Sequence, residues 1–406
     1  MISIKYFLNR LQDVKPRDYA AFFPMIVALA LRPSYKKKYQ HSWLICEEPA
    51  EARDNGYHFY KYMCEKQPQQ KCFYAIKKDS VDYSKVRDLA GDDHIIEYGS
   101  VQHWLAYFLC DYNISSQKGG KPDAAVCAFF ELNGKFRPRN IFLQHGVIIN
   151  DVKWLYSNKS KFDLFVTSVR PEQKFIQENF GYKKGVVHLT GLSRFDNLHQ
   201  NRTVKNRIVI MPTWRYWFNL KSKQMDGLDT DFKSSEYLRK WKELLESQKL
   251  NKMIDQYSLE VIFYPHRNIQ NHLEEFKQLI HTKATIASWR DYDIQELLIT
   301  SSMMITDYSS VFFDMIYQKK PVIFYQFDLE KFRNGQYPEG YFHYDDNPFA
   351  KSFKGSDDVL IETENIIKNE YQVDEKYMKG HEEYFQYYDS NNSERIYNLL
   401  KYKNIK

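Results

Sequence analysis

From Met303 to Tyr325 the chain reads MMITDYSSVFFDMIYQKKPVIFY, the signature of a parallel strand–helix–strand unit. A short apolar run ends in a polar turn, an apolar segment of helical length follows, and Pro321 then opens a second apolar run. Such a strand–helix–strand unit sets two parallel strands side by side, with the helix crossing over one face of the sheet. Thr306, Ser309 and Ser310 stand where the helix is expected to begin. Free backbone N–H groups, the helix dipole and hydroxyl donors converge there, and a phosphate would be well held. Capping of the helix by Asp307 or Ser309 is the other reading of the same residues. Asp314 falls one turn into the helix among apolar neighbours, where a lone carboxylate is costly. It is expected to accept hydrogen bonds from sugar hydroxyls or from an internal donor.

Similar apolar runs recur between helix-like stretches on either side of this unit. In the first half they are Trp43 to Cys46, Cys72 to Ile76, Ile95 to Tyr98, Asn140 to Gln144, Leu164 to Thr167 and Val186 to Leu189. After a polar break, Asn197 to Asn206, the alternation resumes with Ile208 to Met211, Leu259 to Tyr264, Thr285 to Ala287, Met303 to Ile305 and Val322 to Tyr325. Alternating strands and helices predict parallel sheets covered on both faces, hence an α/β protein with two Rossmann-like halves, residues 1–200 and 201–406. The polar insertion Met225 to Ser235 is expected to form a loop near a cleft or a solvated loop. Ser393 to Lys401 is predicted as a closing helix, capped by Asn392 or Ser393, that packs back on the first domain.

The 406 residues, 43% of them hydrophobic, suffice for two cores. A net charge of +6, from 58 basic and 52 acidic residues, lacks the concentrated positive field of a nucleic-acid binder but suits phosphorylated substrates and anionic surfaces. The five cysteines show no CxxC spacing and point to reduced core thiols in a cytosolic compartment rather than to disulfides or zinc. The opening MISIKYFLNR lacks the order of a cleaved leader. Tyr19 to Leu31, YAAFFPMIVALAL, is bordered by Lys15, Arg17, Arg32 and Lys36 to Lys38. It is too short to span a bilayer and is expected either to lie at a membrane interface or to pack on the domain. No glycine-rich GxGxxG or Walker loop is present, which disfavours nicotinamide cofactors and ordinary ATP chemistry.

His145, in NIFLQHGV, ends an apolar strand and is followed by Gly146, which permits a sharp turn. In open α/β sheets ligands gather at the carboxyl ends of strands, so an imidazole there can take a proton from an attacking hydroxyl. His266, in YPHRN, repeats the arrangement in the second half. Its expected role, with Arg267, is to donate to phosphate oxygens. Arg215 ends the run VIMPTWR, and its guanidinium suits a phosphate; a surface ion pair is the alternative.

The segments WLICEEPAEARDNG (43–56), LQHGV (143–147), MPTWR (211–215), YPHRN (264–268), ITDYSSVFFD (305–314), PVIFYQFDLEKF (321–332) and DSNNSERIY (389–397), in this order, resemble the CDP-glycerol glycerophosphotransferases that build teichoic acids and related capsular polymers. The resemblance implies a GT-B architecture, with two Rossmann-like domains facing across a cleft and CDP-glycerol held by the second. It implies His145 as the base and His266 as a second functional histidine. It further implies a donor site of Arg215, Thr306, Ser309, Ser310 and Asp314, and an acceptor side that includes Asp54 and Asn55. The implied reaction is attack of an acceptor hydroxyl on the β-phosphorus of the donor, with release of CMP and without a cofactor; no DxD or clustered carboxylates call for a metal.

Where many members read HGTPLK, this chain reads HGVIINDVK, which sets Asn150, Asp151 and Lys153 where the acceptor or the glycerol end is expected. The segment YPEGYFHYDDNPFAKS (337–352) also departs from the family's glycine-rich pattern. Expected partners are a CDP-alditol, a lipid-linked or polymeric acceptor, the inner face of an anionic membrane and other polymer-assembly enzymes; nucleic acid is not expected. CDP-ribitol as donor, a nucleotide-sugar glycosyltransferase of the same fold and a non-catalytic scaffold stay open as alternatives.

Overall fold

The computed structural model describes residues 16–133, 138–200, 202–219 and 231–402. The opening MISIKYFLNR, Lys15 and residues 225–230 of the polar insertion lie outside the described residues. In the first half the apolar runs form β1 (Trp43–Cys46), β2 (Cys72–Ile76), β3 (Ile95–Glu97), β4 (Tyr112–Ser115), β5 (Arg139–Phe142), β6 (Leu164–Thr167) and β7 (Val187–Leu189). All pair in parallel in the order β3-β2-β1-β4-β5-β6-β7. In the second half β8 (Arg207–Met211), β9 (Glu260–Phe263), β10 (Thr285–Ile286), β11 (Met303–Thr306), β12 (Val322–Tyr325) and β13 (Lys351–Phe353) form a parallel sheet in the order β10-β9-β8-β11-β12-β13. Each order reverses beside its first strand. This is the doubly wound arrangement in which the crevice at the carboxyl ends receives ligands.

The central strands are covered on both faces and are therefore apolar throughout: WLIC, LFVT, MMIT and VIFY are buried at every position. Two strands escape the sequence pattern. The central β4, YNIS, follows the apolar helix Val101–Leu109 after two residues and carries a polar residue inside, Asn113, whose side chain donates to the Gly120 carbonyl at 3.2 Å. The short edge strand β13, KSF, has no apolar run to mark it.

The first sheet closes at Leu189 and the second opens at Arg207. A continuous apolar cluster joins them, with Phe195 stacked on Tyr317 at a ring distance of 4.5 Å. The closing helix, Asn392–Tyr402, lies on the first domain: Tyr397 packs on Trp43 at 5.8 Å, and Tyr112 donates its hydroxyl to the Leu400 carbonyl. Its cap differs from the sequence reading. The Asn392 and Ser393 N–H groups donate to the Asp196 carboxylate at 2.8 and 2.9 Å, so the cap comes from a residue of the segment joining the two sheets.

The helix Phe22–Tyr39 continues the 3-10 turn Pro16–Ala21 and packs along Val101–Leu109 with Met25, Ala28 and Tyr39 inward. Its other side leaves Phe23 and Ile26 exposed, beside Tyr19, and its last turn carries Lys36, Lys37 and Lys38. Among the described residues no helix is long and apolar enough to cross a membrane.

Candidate active site

The carboxyl ends of the two sheets face each other across a cleft of about 790 Å³. Residues after β1, β4 and β5 (Glu47, Asp54, Gln117, His145) form one wall; residues after β8, β9 and β11 (Trp214, His266, Arg267, Ser309, Ser310) form the other.

His145 is presented by a strained backbone. Gln144 takes φ 66°, a left-handed conformation that residues other than glycine adopt at a cost, and its side-chain amide is tied to the Val166 carbonyl. The turn projects His145, whose side chain is 64% exposed, into the cleft. Its Nδ1 lies 2.5 Å from Oδ2 of Asp54 and 2.8 Å from Nε2 of Gln117. Of the two only the Asp54 carboxylate can accept the Nδ1 proton, because an amide nitrogen donates. Nε2 is then the nitrogen able to accept a proton from a substrate. Enclosure in the cleft works against the imidazolium, but the charge and hydrogen bond of Asp54 outweigh it and raise the His145 pKa above its ordinary value. Burial likewise opposes the Asp54 anion, yet His145 and Arg194 hold its pKa down.

Asp54 is the N-cap of the helix Asn55–Lys66 and accepts from its own helix's first N–H, that of Asn55, at 2.8 Å. Behind it, buried Glu47 accepts from the N–H groups of Arg53, Asp54 and Tyr57 and from the Tyr74 hydroxyl, which fixes the turn that carries Asp54. Burial, followed by the neighbouring Asp54 charge, pushes Glu47 up to about 7. On the other side of the His145 turn, buried Glu172 accepts from the Ile148 and Ser168 N–H groups at 2.6 and 2.7 Å.

His266 faces this dyad from the second domain. Its Nδ1 accepts from the Asn268 N–H at 3.1 Å, and the ring stacks on Trp214 at 6.3 Å. Burial, with a contribution from the His145 charge, lowers its pKa to about 3, so the ring is neutral and its proton sits on Nε2. It is a hydrogen-bond donor without charge. Arg267 pairs with Glu51 of the first domain and stacks over Trp289 at 4.5 Å, and burial lowers its pKa.

Ser309, Ser310 and Asp314 also line the cleft. Gly146 passes so close to Ser310 that a Cβ on the glycine would stand 2.8 Å from the serine Oγ. Asp314 is satisfied internally: Arg194 binds both its oxygens, Nε to Oδ1 at 2.7 Å and Nη2 to Oδ2 at 2.8 Å.

Four of the residues expected at the site lie elsewhere. Arg215 is buried beneath the cleft, gripped by Asp307 and Asp328 at 2.8 to 2.9 Å and by the Thr213 carbonyl; no nitrogen is left over for a phosphate. Thr306 is the last residue of β11, and its buried hydroxyl donates to the Met211 carbonyl at 2.6 Å. The helix itself begins at Phe312, after Ser309 and Ser310 rather than at Thr306. Asn55 is buried and ties the Gln144 carbonyl to the Arg194 N–H. Asp151 turns to Tyr156 and Lys153 while its N–H reaches the Pro338 carbonyl of the second domain at 3.1 Å.

Arg194, Glu47 and Gln117 did not emerge from the sequence. Each lies just past the end of a strand, β7, β1 and β4 respectively, the position that singled out both histidines. Among the described residues no group of three His, Cys, Asp or Glu side chains is arranged to hold a metal ion.

Two Rossmann-like sheets facing across a cleft, with titratable side chains at the strand ends, define a GT-B-like protein. The chain belongs to the CDP-glycerol:poly(glycerophosphate) glycerophosphotransferase family, whose model matches residues 26–402. It is 32% identical over 372 residues to the minor teichoic acid biosynthesis protein GgaB of Bacillus subtilis, a match covering 88% of this chain and 39% of GgaB. It is 30% identical over 224 residues to a teichoic acid poly(glycerol phosphate) polymerase of Bacillus spizizenii, covering 52% of this chain and 50% of the polymerase. The chain thus spans half or less of the length of these relatives. The wall teichoic acid polymerase TagF shares the fold, with a TM-score of 0.64 and 18% identity over 97% of this chain and 98% of that one.

Proposed function

We propose that the chain transfers glycerol phosphate from CDP-glycerol to a hydroxyl of a teichoic-acid-like or capsular polymer, or of its lipid-linked primer, with release of CMP. The observation that carries this reading is the His145–Asp54 pair, 2.5 Å apart, standing in the cleft opposite His266. His145 Nε2 takes the proton of the acceptor hydroxyl as its oxygen bonds to the donor's β-phosphorus. The bond from that phosphorus to the oxygen bridging the two phosphates breaks, and CMP leaves with the electron pair. Asp54 stabilises the imidazolium that forms, and a positioned base of this kind contributes roughly 10²- to 10⁴-fold. His266 donates from Nε2 to a phosphate oxygen, with the Ser309 and Ser310 hydroxyls nearby; donors placed where charge develops do most of the work in phosphoryl transfer.

The departure Asn150–Asp151 favours an acceptor held at the domain junction, because Asn150 bridges to Glu339 and accepts from Arg333 at 2.5 Å. We assign the protein to the cytoplasm, peripheral on the inner face of the cell membrane. All five cysteines are free, and the exposed Phe23 and Ile26 with the three lysines of the same helix suit an anionic lipid surface.

The test is incubation of the protein with CDP-glycerol, CDP-ribitol and UDP-glucose, each with a lipid-linked or oligomeric acceptor, with released nucleotides resolved by chromatography. Acceptor-dependent CMP from CDP-glycerol is expected. CMP from CDP-ribitol alone would change the donor, and UDP from UDP-glucose alone would make the protein a glycosyltransferase.

A further inference from the structure

Arg194 stands at the junction of the two domains with every polar group engaged. It belongs to the 3-10 turn Ser193–His199 that follows β7, and its side chain is 9% exposed. Nε and Nη2 hold the Asp314 carboxylate of the second domain. Nη1 holds Oδ1 of Asp54 at 3.0 Å and also reaches the His145 carbonyl. The backbone is clamped as well: the Arg194 N–H donates to Asn55, and its carbonyl accepts from Gln295 of the second domain at 3.1 Å. Asn55 in turn donates to the carbonyl of Gln144, the strained residue before the histidine. His145, Asp54, Arg194 and Asp314 therefore form one unbroken chain of contacts from the base to the opposite domain.

We propose that Arg194 is a positioning residue that makes the orientation and basicity of His145 depend on the docking of the second domain through Asp314. This rests on His145 being the base of the transfer proposed above. An Arg194 paired with Asp314 has its charge largely compensated, so Asp54 keeps its full pull on the imidazole. An Arg194 without Asp314 turns that uncompensated charge on Asp54 and His145. The charged and titratable groups facing the His145 ring are Asp54 and Arg194, with Glu47 behind Asp54, from the first domain and His266 from the second. Arg194 is the cation among them, and its charge works against the imidazolium.

The experiment compares the pH dependence of kcat/KM for CMP release in the wild type, Arg194→Gln, Arg194→Lys and Asp314→Asn, together with thermal unfolding of each. The activity falls on the acidic side as His145 takes up a proton. Arg194→Gln is expected to move that limb to higher pH by roughly one unit, and Asp314→Asn to move it to lower pH. Arg194→Lys keeps the charge but loses the bidentate grip, so kcat should drop while the limb stays in place. Opposite displacements are not produced by a general loosening of the fold. Should Arg194→Gln fail to fold, the Asp314→Asn and Arg194→Lys profiles carry the test. Limbs that coincide in all folded variants would overturn the proposal and leave Arg194 as a fastening between domains. A wild type that releases no CMP, or an active His145→Asn, would instead overturn the proposed function.

Discussion

Asp54 and His145 are 91 positions apart in the chain, and their side chains meet at 2.5 Å on one wall of the cleft. The carboxylate settles which ring nitrogen carries a proton at rest and raises the affinity of the other for one.

His145→Asn should lower turnover by roughly 10²-fold or more and leave thermal stability nearly unchanged, because the side chain is 64% exposed. Asp54→Asn should lower turnover too, and it has a distinct signature. Asp54 raises the His145 pKa, so its removal lets that pKa fall, and the acidic limb of the activity profile moves to lower pH. A limb that moved upward would show that Asp54 does not act through His145.

Arg215→Ala should destabilise the protein by roughly 3–5 kcal/mol, because it abandons two carboxylates in the interior. Chemical denaturation measures this directly. A variant as stable as the wild type but with a raised donor KM would return Arg215 to the phosphate site.

The structure explains why that residue misleads. MPTWR places a guanidinium just beyond a strand end, and such positions do face the cleft at His145 and His266. Its two carboxylates come from residues 307 and 328, some ninety and more positions onward, and nothing local reveals that they close around it. The same distance hides Arg194, whose partners are Asp54 and Asp314. The strand ends and the two sheets are legible because burial on both faces demands unbroken apolar runs. Where a central strand carries an asparagine, as β4 does, or an edge strand is three residues long, as β13 is, the pattern fades.

Glu172→Ala leaves two buried N–H groups without acceptors and should cost on the order of 3 kcal/mol. Burial, working against those hydrogen bonds, holds the folded-state pKa of Glu172 at about 7, above the ordinary 4.5. Its contribution to stability is therefore fully present below about pH 4.5 and is lost as pH rises through about 7. The gap in unfolding free energy between wild type and Glu172→Ala should be wider at pH 5 than at pH 8, and a gap that widened with pH would contradict the assignment.

Gly146→Ala should raise the donor KM and lower turnover, since the new methyl meets the Ser310 Oγ at 2.8 Å. A part of the loss should return when the glycine change is made in a Ser310→Ala background, compared with Ser310→Ala alone. Equal losses in both backgrounds would mean that the two loops do not press on each other.

Replacing Phe23 and Ile26 by serine should weaken sedimentation with anionic phospholipid vesicles while leaving CMP release to a soluble acceptor intact. Binding that persisted unchanged would place any lipid contact on another face.

The closing helix gives the molecule a mechanical property that two tandem domains would lack. The chain passes from the first body to the second in the segment before Arg207, and it returns to the first body at Asn392, where Asp196 grips it beside the outgoing strand of chain. Two crossings lie side by side, joined by the Asp196 carboxylate. Relative displacement of the two bodies therefore strains two neighbouring stretches of chain rather than one, and the walls that carry His145 and His266 are tied together covalently at both.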